Sequence, residues 1–423
     1  PEKMKNLLDS FNQCFFDYRL RVEQDPNFSK DFPCPTTNSH IQKYANHGSD
    51  VDCVQWVGPG QFVSCTGDGQ ILLWDASAPS KTPISKNALG AKKGVYCAEA
   101  MTGTQKLIFG LGASSENLWL WDMETSSVVT KWSGNETSIY SLASYRNSVV
   151  SGSKNGGVVF SDISTSQVVA RFDGLHDNVV YSCSFSEDGR QVCTASRDGN
   201  VHVVDARDPT YRVATLEDAA AGYAVSKALW LEDREVMTCG DDFCIKRWDL
   251  RMPTDPPIAC YLGLTTNVTT LALSADRTFF VSGTFDGSVR LWFTDANGIR
   301  EANQAGSAAV GVDAKEQLQT AKADFETLME RVFAGEADSN DAKAAASEIE
   351  RLEAKVAVGE EVEEKGDQNR IGASLDLSGH KMAITSLAWQ DTASGTAYVV
   401  SGSKDESACL FEVNTRDLLS SIA

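Results

Sequence analysis

The stretch Gly67-Asp68-Gly69-Gln70-Ile71-Leu72-Leu73-Trp74-Asp75 decides the fold. A polar Asp-Gly turn leads into a run of β-branched and apolar residues that ends on Trp-Asp, the pattern of a tight turn followed by a buried strand. The phrase returns as Phe285-Asp286-Gly287-Ser288-Val289-Arg290-Leu291-Trp292 and, on the same beat, as Asp241-Asp242-Phe243-Cys244-Ile245-Lys246-Arg247-Trp248-Asp249. Weaker copies end at Trp121-Asp122, Ser161-Asp162, Val204-Asp205 and Phe411-Glu412. An earlier strand precedes each copy, beginning at Val51, Val95, Ile139, Val180, Val225, Val268 and Ile384, so the successive steps are 44, 44, 41, 45, 43 and 116 residues. Near-equal steps with one outlier mean seven repeats, the last step carrying about 73 inserted residues.

These residues resemble the WD-repeat (WD-40) family, whose repeats run about 40–45 residues with a Gly-His…Trp-Asp signature. The resemblance spans the chain from about residue 41 onward, apart from the insertion, and implies an all-β, seven-bladed β-propeller with one four-stranded sheet per repeat. It also implies a buried polar network in each blade, made of a His, a Ser or Thr, the turn Asp and the Trp. Blade 1 carries His47, Ser64, Asp68 and Trp74. Blade 4 keeps His176 and Asp198 with Val204 in place of Trp, and blade 7 keeps His380, Ser401 and Asp405 with Phe411. Asn135, Ala221 and Leu264 stand at the His position of blades 3, 5 and 6. Such sets imitate a hydrolase triad, but the same residues recur at one phase in several blades, which is the mark of structural hydrogen bonding. With no phosphate-binding loop, nucleophile elbow or His-Glu-x-x-His motif, no enzyme activity, cofactor or metal site is expected.

The chain has 423 residues, 38 basic and 58 acidic, for a net charge of −20. That sign excludes a phosphate backbone as the main ligand and leaves proteins as the expected partners. Eleven cysteines include no Cys-x-x-Cys pair. They read as core thiols of a reducing compartment, hence an intracellular protein, cytoplasmic or nuclear. No apolar run reaches the length of a membrane span, so no membrane insertion is expected.

Four regions follow. Residues 1–39 hold a predicted helix over 3–24, with Met4, Leu8, Phe11, Phe15, Tyr18 and Val22 on a heptad seam, and a proline-containing linker. Residues 40–298 form blades 1–6. Residues 299–372 are an acidic insertion in blade 6, read as a helical hairpin from the seams Leu318, Ala321, Phe325, Leu328, Val332 and Ala345, Ile349, Leu352, Val356. Residues 373–423 finish blade 6 and form blade 7. A short turn at 414–417 favours Leu418–Ile422 over the segment from His40 to Ala45 as the strand that closes the ring.

The expected function is a non-enzymatic scaffold mediating protein–protein contacts in a multiprotein assembly. The resemblance places partner-contacting residues at the channel mouth: Tyr96, Tyr140 and Tyr181 from the inner strands, and Lys154, Arg197, Phe285 and Lys404 before the turns. This basic and aromatic patch suits a partner segment with acidic and apolar residues. Two alternatives stand beside it. Trp248-Asp249-Leu250-Arg251, with its degraded copy ending at Arg207, resembles the adaptor-contacting motif of cullin-RING ubiquitin-ligase substrate receptors. The acidic charge and the layout loosely resemble histone-binding, or basic-protein-binding, propellers.

Overall fold

In blade 1, Val51–Gly58, Gln61–Thr66, Gln70–Asp75 and Ser85–Ala88 pair antiparallel in chain order. Gly60 turns the first pair and Gly69 the second, each at positive φ, where a side chain costs roughly 1 kcal/mol or more. The second strand is the instructive one. Phe62, Val63, Ser64, Cys65 and Thr66 are all buried, although they alternate between the two faces of the sheet. A strand buried on both sides lies between two neighbouring sheets.

The computed structural model describes residues 36–37, 40–45, 47–77, 83–88, 94–101, 104–112, 117–208, 212–294, 370–371, 375–377, 379–392 and 395–415. The predicted helix over 3–24, the hairpin within 299–372 and the segment 418–422 lie outside the described residues. Six further sheets repeat blade 1, those of blades 5 and 6 each with a fifth strand added at the outer edge, Arg370–Ile371 in blade 5. Their inner strands are Val95–Ala100, Ile139–Tyr145, Val180–Phe185, Val225–Glu232, Val268–Leu273 and Ile384–Asp391. Each inner strand packs on the next, and the last packs on the first, so the seven sheets close a ring. Among the described residues, no helix is long and apolar enough to cross a membrane.

Small residues set the spacing between blades. A Cβ on Gly152 would come within 2.5 Å of Val180 Cγ1 in the next blade, and one on Gly402 within 2.8 Å of Val51 Cγ1. Glycine at this phase of the second strand therefore seats the leading valine or isoleucine of the neighbouring inner strand. The nine described cysteines are buried, filling the same layers.

Ring closure differs from the sequence expectation. The outer strand of blade 7 is His40–Tyr44, paired antiparallel with Ser407–Asn414 through Tyr44↔Ala408, Lys43↔Cys409 and Gln42↔Leu410. Proximity in sequence gives a C-terminal hairpin little advantage, because loop-closure cost grows only slowly with length. Contacts with blade 1 favour the N-terminal segment. Tyr44 is fully buried, its ring 5.0 Å from both Phe62 and Trp74 of blade 1. Lys43 Nζ reaches Asp405 at 3.0 Å. One segment thus joins the first repeat to the last. Just before it, Thr36–Thr37 lies parallel to Leu375–Leu377, the outer strand of blade 6. That outer strand pairs with Val289–Phe293, so the insertion separates the third and fourth strands of this sheet.

Candidate functional site

The first residue of every inner strand is fully buried: Val51, Val95, Ile139, Val180, Val225, Val268 and Ile384. The register against the second strand then slips by one residue in all seven blades. The slipped residues are Asp52, Tyr96, Tyr140, Tyr181, Ser226, Thr269 and Thr385. A bulge leaves one residue unpaired and re-aims its side chain, so these seven define one level of the channel mouth. A second circle surrounds them. The amides of Gly67, Gly112, Lys154, Arg197, Asp241, Phe285 and Lys404 each donate to the carbonyl just ahead of an inner strand, at 2.9–3.3 Å.

The three tyrosines meet. The Tyr96 and Tyr140 rings stack in parallel, 5.0 Å apart with 1° between their planes, and Tyr181 meets Tyr140 edge-on at 6.4 Å. All three are half-buried, while Lys154, Arg197 and Lys404 are exposed and Phe285 is 57% exposed. Glycine at Gly112, where blades 3 and 4 have Lys154 and Arg197, leaves Tyr96 open: a Cβ there would only touch the ring, at 3.8 Å.

The sequence reading missed the acidic members of this mouth. Asp52 is the blade 1 counterpart of the tyrosines. Burial, and then the nearby Asp50, push its carboxyl up to about 7 against the pull of Lys404. Burial and the neighbouring Tyr96, Tyr181 and Asp52 raise the Tyr140 hydroxyl as well. Further along the inner strands, Gln55 Nε2 donates to Glu99 Oε2 at 2.8 Å. Burial pushes Glu99 up to about 7, opposed by Lys227 on the inner strand of blade 5. The patch is therefore mixed in charge, basic at blades 3 and 4 and carboxylic at blade 1. Asp52 was legible as the odd member of a Tyr-Tyr-Tyr phase.

The polar networks sit behind the mouth. In blade 1, His47 Nε2 lies 2.9 Å from Ser64 Oγ, which also receives Trp74 Nε1 at 2.8 Å. His47 Nδ1 faces the Glu406 carbonyl at 3.1 Å, and Asp68 accepts from Thr66 and Gln70. In blade 4, His176 bridges Asp198 and Thr194, at 2.9 Å each. In blade 7, His380 bridges Asp405 at 3.1 Å and Ser401 at 2.6 Å. Asn135 substitutes in blade 3 by accepting from Ser151 Oγ at 2.6 Å. Blade 5 solves the same problem with an unpredicted buried pair: Lys246 Nζ lies 2.7 Å from Asp242 and donates to the Ala219 carbonyl at 2.9 Å. Lys246 stands at the phase of Leu72 in blade 1, and a cation at an apolar phase was its sequence signal.

Arg207 and Arg251 lie elsewhere. Antiparallel alternation puts the end of each third strand on the face opposite the mouth. Arg251 Nε bonds both oxygens of Asp249 at 2.8 and 2.9 Å, and Arg207 forks onto Asp205 at 3.1 and 2.7 Å. Each guanidinium is thus engaged within its own turn. Among the described residues no cluster of three or more metal-ligand side chains occurs.

The repeat model described as WD domain, G-beta repeat, matches residues 38–75, 167–205, 257–292 and 373–412. The chain is similar to U3 small nucleolar RNA-associated protein 15 of Saccharomyces cerevisiae, with 30% identity over 135 residues, 32% of this chain and 26% of that protein. A guanine nucleotide-binding protein subunit beta of Oryza sativa subsp. japonica is 29% identical over 38% of this chain and 45% of its own length. A ribosome biogenesis protein WDR12 homolog of Drosophila pseudoobscura pseudoobscura is 23% identical over 60% of this chain and 65% of its own length. The chain thus spans less than two thirds of each relative. A chain in the crystal structure of a mitotic checkpoint complex shares the fold, with a TM-score of 0.62 and 14% identity over 89% of this chain and 93% of that one. Seven closed sheets, the recurring Trp–Ser/Thr and His–Ser/Thr bonds and four repeat matches lead to one conclusion: the chain carries WD40 repeats and is a seven-bladed β-propeller.

Proposed function

We propose that the protein is a non-enzymatic scaffold that holds partner proteins within an assembly, and that the mouth built by Tyr96, Tyr140 and Tyr181 is a docking face. The observation that carries this reading is the contact among three half-buried tyrosines, raised by bulges of the same phase in three consecutive blades. Tyrosine gives large contact area at low conformational cost and keeps a wet hydroxyl, the character of an interface anchor. A partner segment with apolar residues over the rings and carboxylates toward Lys154 and Arg197 fits the charge, its acidic end directed away from Asp52.

The relatives' names refer to a small nucleolar RNA, to ribosome biogenesis and to a protein subunit, which supports work inside an assembly of the cytoplasm or nucleus. With a net charge of −20, the chain meets proteins of such an assembly rather than its RNA. Crosslinking mass spectrometry on native particles, with and without RNase, tests this. Lys154 and Lys404 are exposed amines on the mouth and should yield RNase-resistant links to other proteins. Links confined to other lysines, or a particle that RNase disperses, would refute the reading.

A further inference from the structure

The outer strands of blades 2, 3 and 4 are Ser127–Trp132, Gln167–Phe172 and Arg212–Leu216. Each slips register once against its neighbour, and at the same phase. Val128 pairs with Trp121 and Thr130 with Leu120, leaving Val129 out. In the same way Val169 is left between Val168 and Ala170, and Val213 between Arg212 and Ala214. These three bulged valines are 50%, 69% and 37% exposed, with Val128 and Val168 at 36% and 37% beside them. Scattered exposed apolar residues need no explanation, but here a β-branched apolar residue recurs at one bulged phase of three consecutive sheets. The blades are laterally joined: Thr130 Oγ1 lies 3.2 Å from Ser166 Oγ of blade 3, and Ala170 packs against the cluster that holds Val204 of blade 4.

Charge narrows the occupant. These three strands contain Lys131, Arg171 and Arg212 and no carboxylate, in a chain with a 20-charge acidic excess. Lys131 lies over the Trp119 ring at 3.7 Å. Arg171 donates to the Gly134 carbonyl at 3.0 Å and meets Glu136, a largely exposed carboxylate, at 3.5 Å. Backbone geometry narrows it again. The outer strand of blade 6 keeps its register and does receive a fifth strand, Thr36–Thr37. A bulge breaks the regular edge that such an addition needs, so blades 2–4 present side chains rather than a ladder.

We propose that the outer edges of blades 2, 3 and 4 form a docking belt for an acidic amphipathic helix of a partner protein. Its apolar stripe covers Val129, Val169 and Val213, and its carboxylates face Lys131, Arg171 and Arg212. This surface lies on the circumference, away from the channel mouth, and stands whether or not the mouth docks anything.

The test uses the full chain with a photo-crosslinking residue at Val169, and a control at Met252, which is 51% exposed and lies in blade 5. Crosslinked peptides from native extract are sequenced, and the peptide joined to position 169 is synthesised as the probe. Expected is an acidic peptide with apolar residues three and four apart, absent from the control, whose affinity falls at least tenfold in V129E/V169E and in K131E/R171E. The variant V169T, which keeps the β-branched shape, should have an unchanged melting temperature and a smaller loss, showing that the effect is not unfolding. Links only to a second copy of this chain, peptides of basic or non-periodic sequence, equal yield at Met252, or affinity unmoved by the charge reversals would each overturn the proposal.

Discussion

Removing the Tyr44 ring should open the propeller at its seam. Tyr44 is fully buried and sits on the strand that ties blade 7 to blade 1, with ring partners Phe62 and Trp74 each at 5.0 Å. Truncating a large buried aromatic to alanine costs about 3–5 kcal/mol through lost burial and the cavity left behind. Each aromatic pair adds about 0.5–1.5 kcal/mol beyond area. Tyr44→Ala should therefore lose about 4–8 kcal/mol, much of the whole stability of a marginal fold. The hydroxyl acts the other way. Tyr44 Oη is buried with no hydrogen-bond partner among the described residues, and an unmet buried polar group costs about 1–3 kcal/mol. Tyr44→Phe should then be neutral or more stable by about 1 kcal/mol. Urea unfolding followed by tryptophan fluorescence separates the two, since Trp74 reports on the seam. The companion variant deletes residues 417–423 and should leave the urea midpoint unmoved, because His40–Tyr44 occupies the closing position. A Tyr44→Ala midpoint within experimental error of the parent, or a large loss on deleting 417–423, would refute N-terminal closure.

Lys246→Leu strands Asp242 in the core of blade 5 and should cost about 3–5 kcal/mol, whereas Asp242→Ala with Lys246→Leu, which restores the apolar residue of blade 1, should recover most of it; equal losses in both would show that the pair is not the cause. Glu99, ordinarily near 4.5, is held at about 7, so the folded state disfavours its charge. Stability from this group is full at acid pH and declines as pH rises from about 4.5 to about 7. Glu99→Gln should therefore raise the melting temperature at pH 8 and lose that advantage by about pH 5, in a difference curve that cancels the other groups. The His176–Asp198 pair does not interfere, because its carboxylate is held at about 2 and its contribution fades only below about pH 4. A pH-independent gain would show that Glu99 is ionised without penalty.

The repeat made most of the fold legible. Seven equally spaced strand starts and the Asp-Gly turns located every inner strand and the interruption of blade 6. They did so because turn residues and alternating burial are local properties. Ring closure was not legible, since His40–Tyr44 and the end of the chain both read as short strands and the choice rests on where Tyr44 lands in a neighbouring blade. The mouth was half legible. Tyr96, Tyr140 and Tyr181 share a phase that counting finds, and they do touch. Asp52 shows in the same count as the odd member of that phase, whereas Glu99 and Lys227 come from separate repeats at ordinary hydrophilic positions, and only closure of the ring brings them to one channel. Lys246 was visible as a break in apolar phase, but its partner Asp242 looked like one more turn aspartate. The bulged valines of blades 2–4 were hidden, because a register slip has no signature in composition.

The central claim is that the tyrosine mouth docks a partner, and Tyr140 is the middle ring of the three. The most direct measurement is quantitative capture of the crosslink-identified mouth partner by Tyr140→Ala and by the parent chain, with both melting temperatures recorded. As an interface anchor, Tyr140 should contribute about 2 kcal/mol or more, roughly a thirtyfold loss of affinity. Its ring is half-exposed, so the melting temperature should move little. A large fall in melting temperature with capture unchanged would contradict the account and make the three rings a plug in the channel.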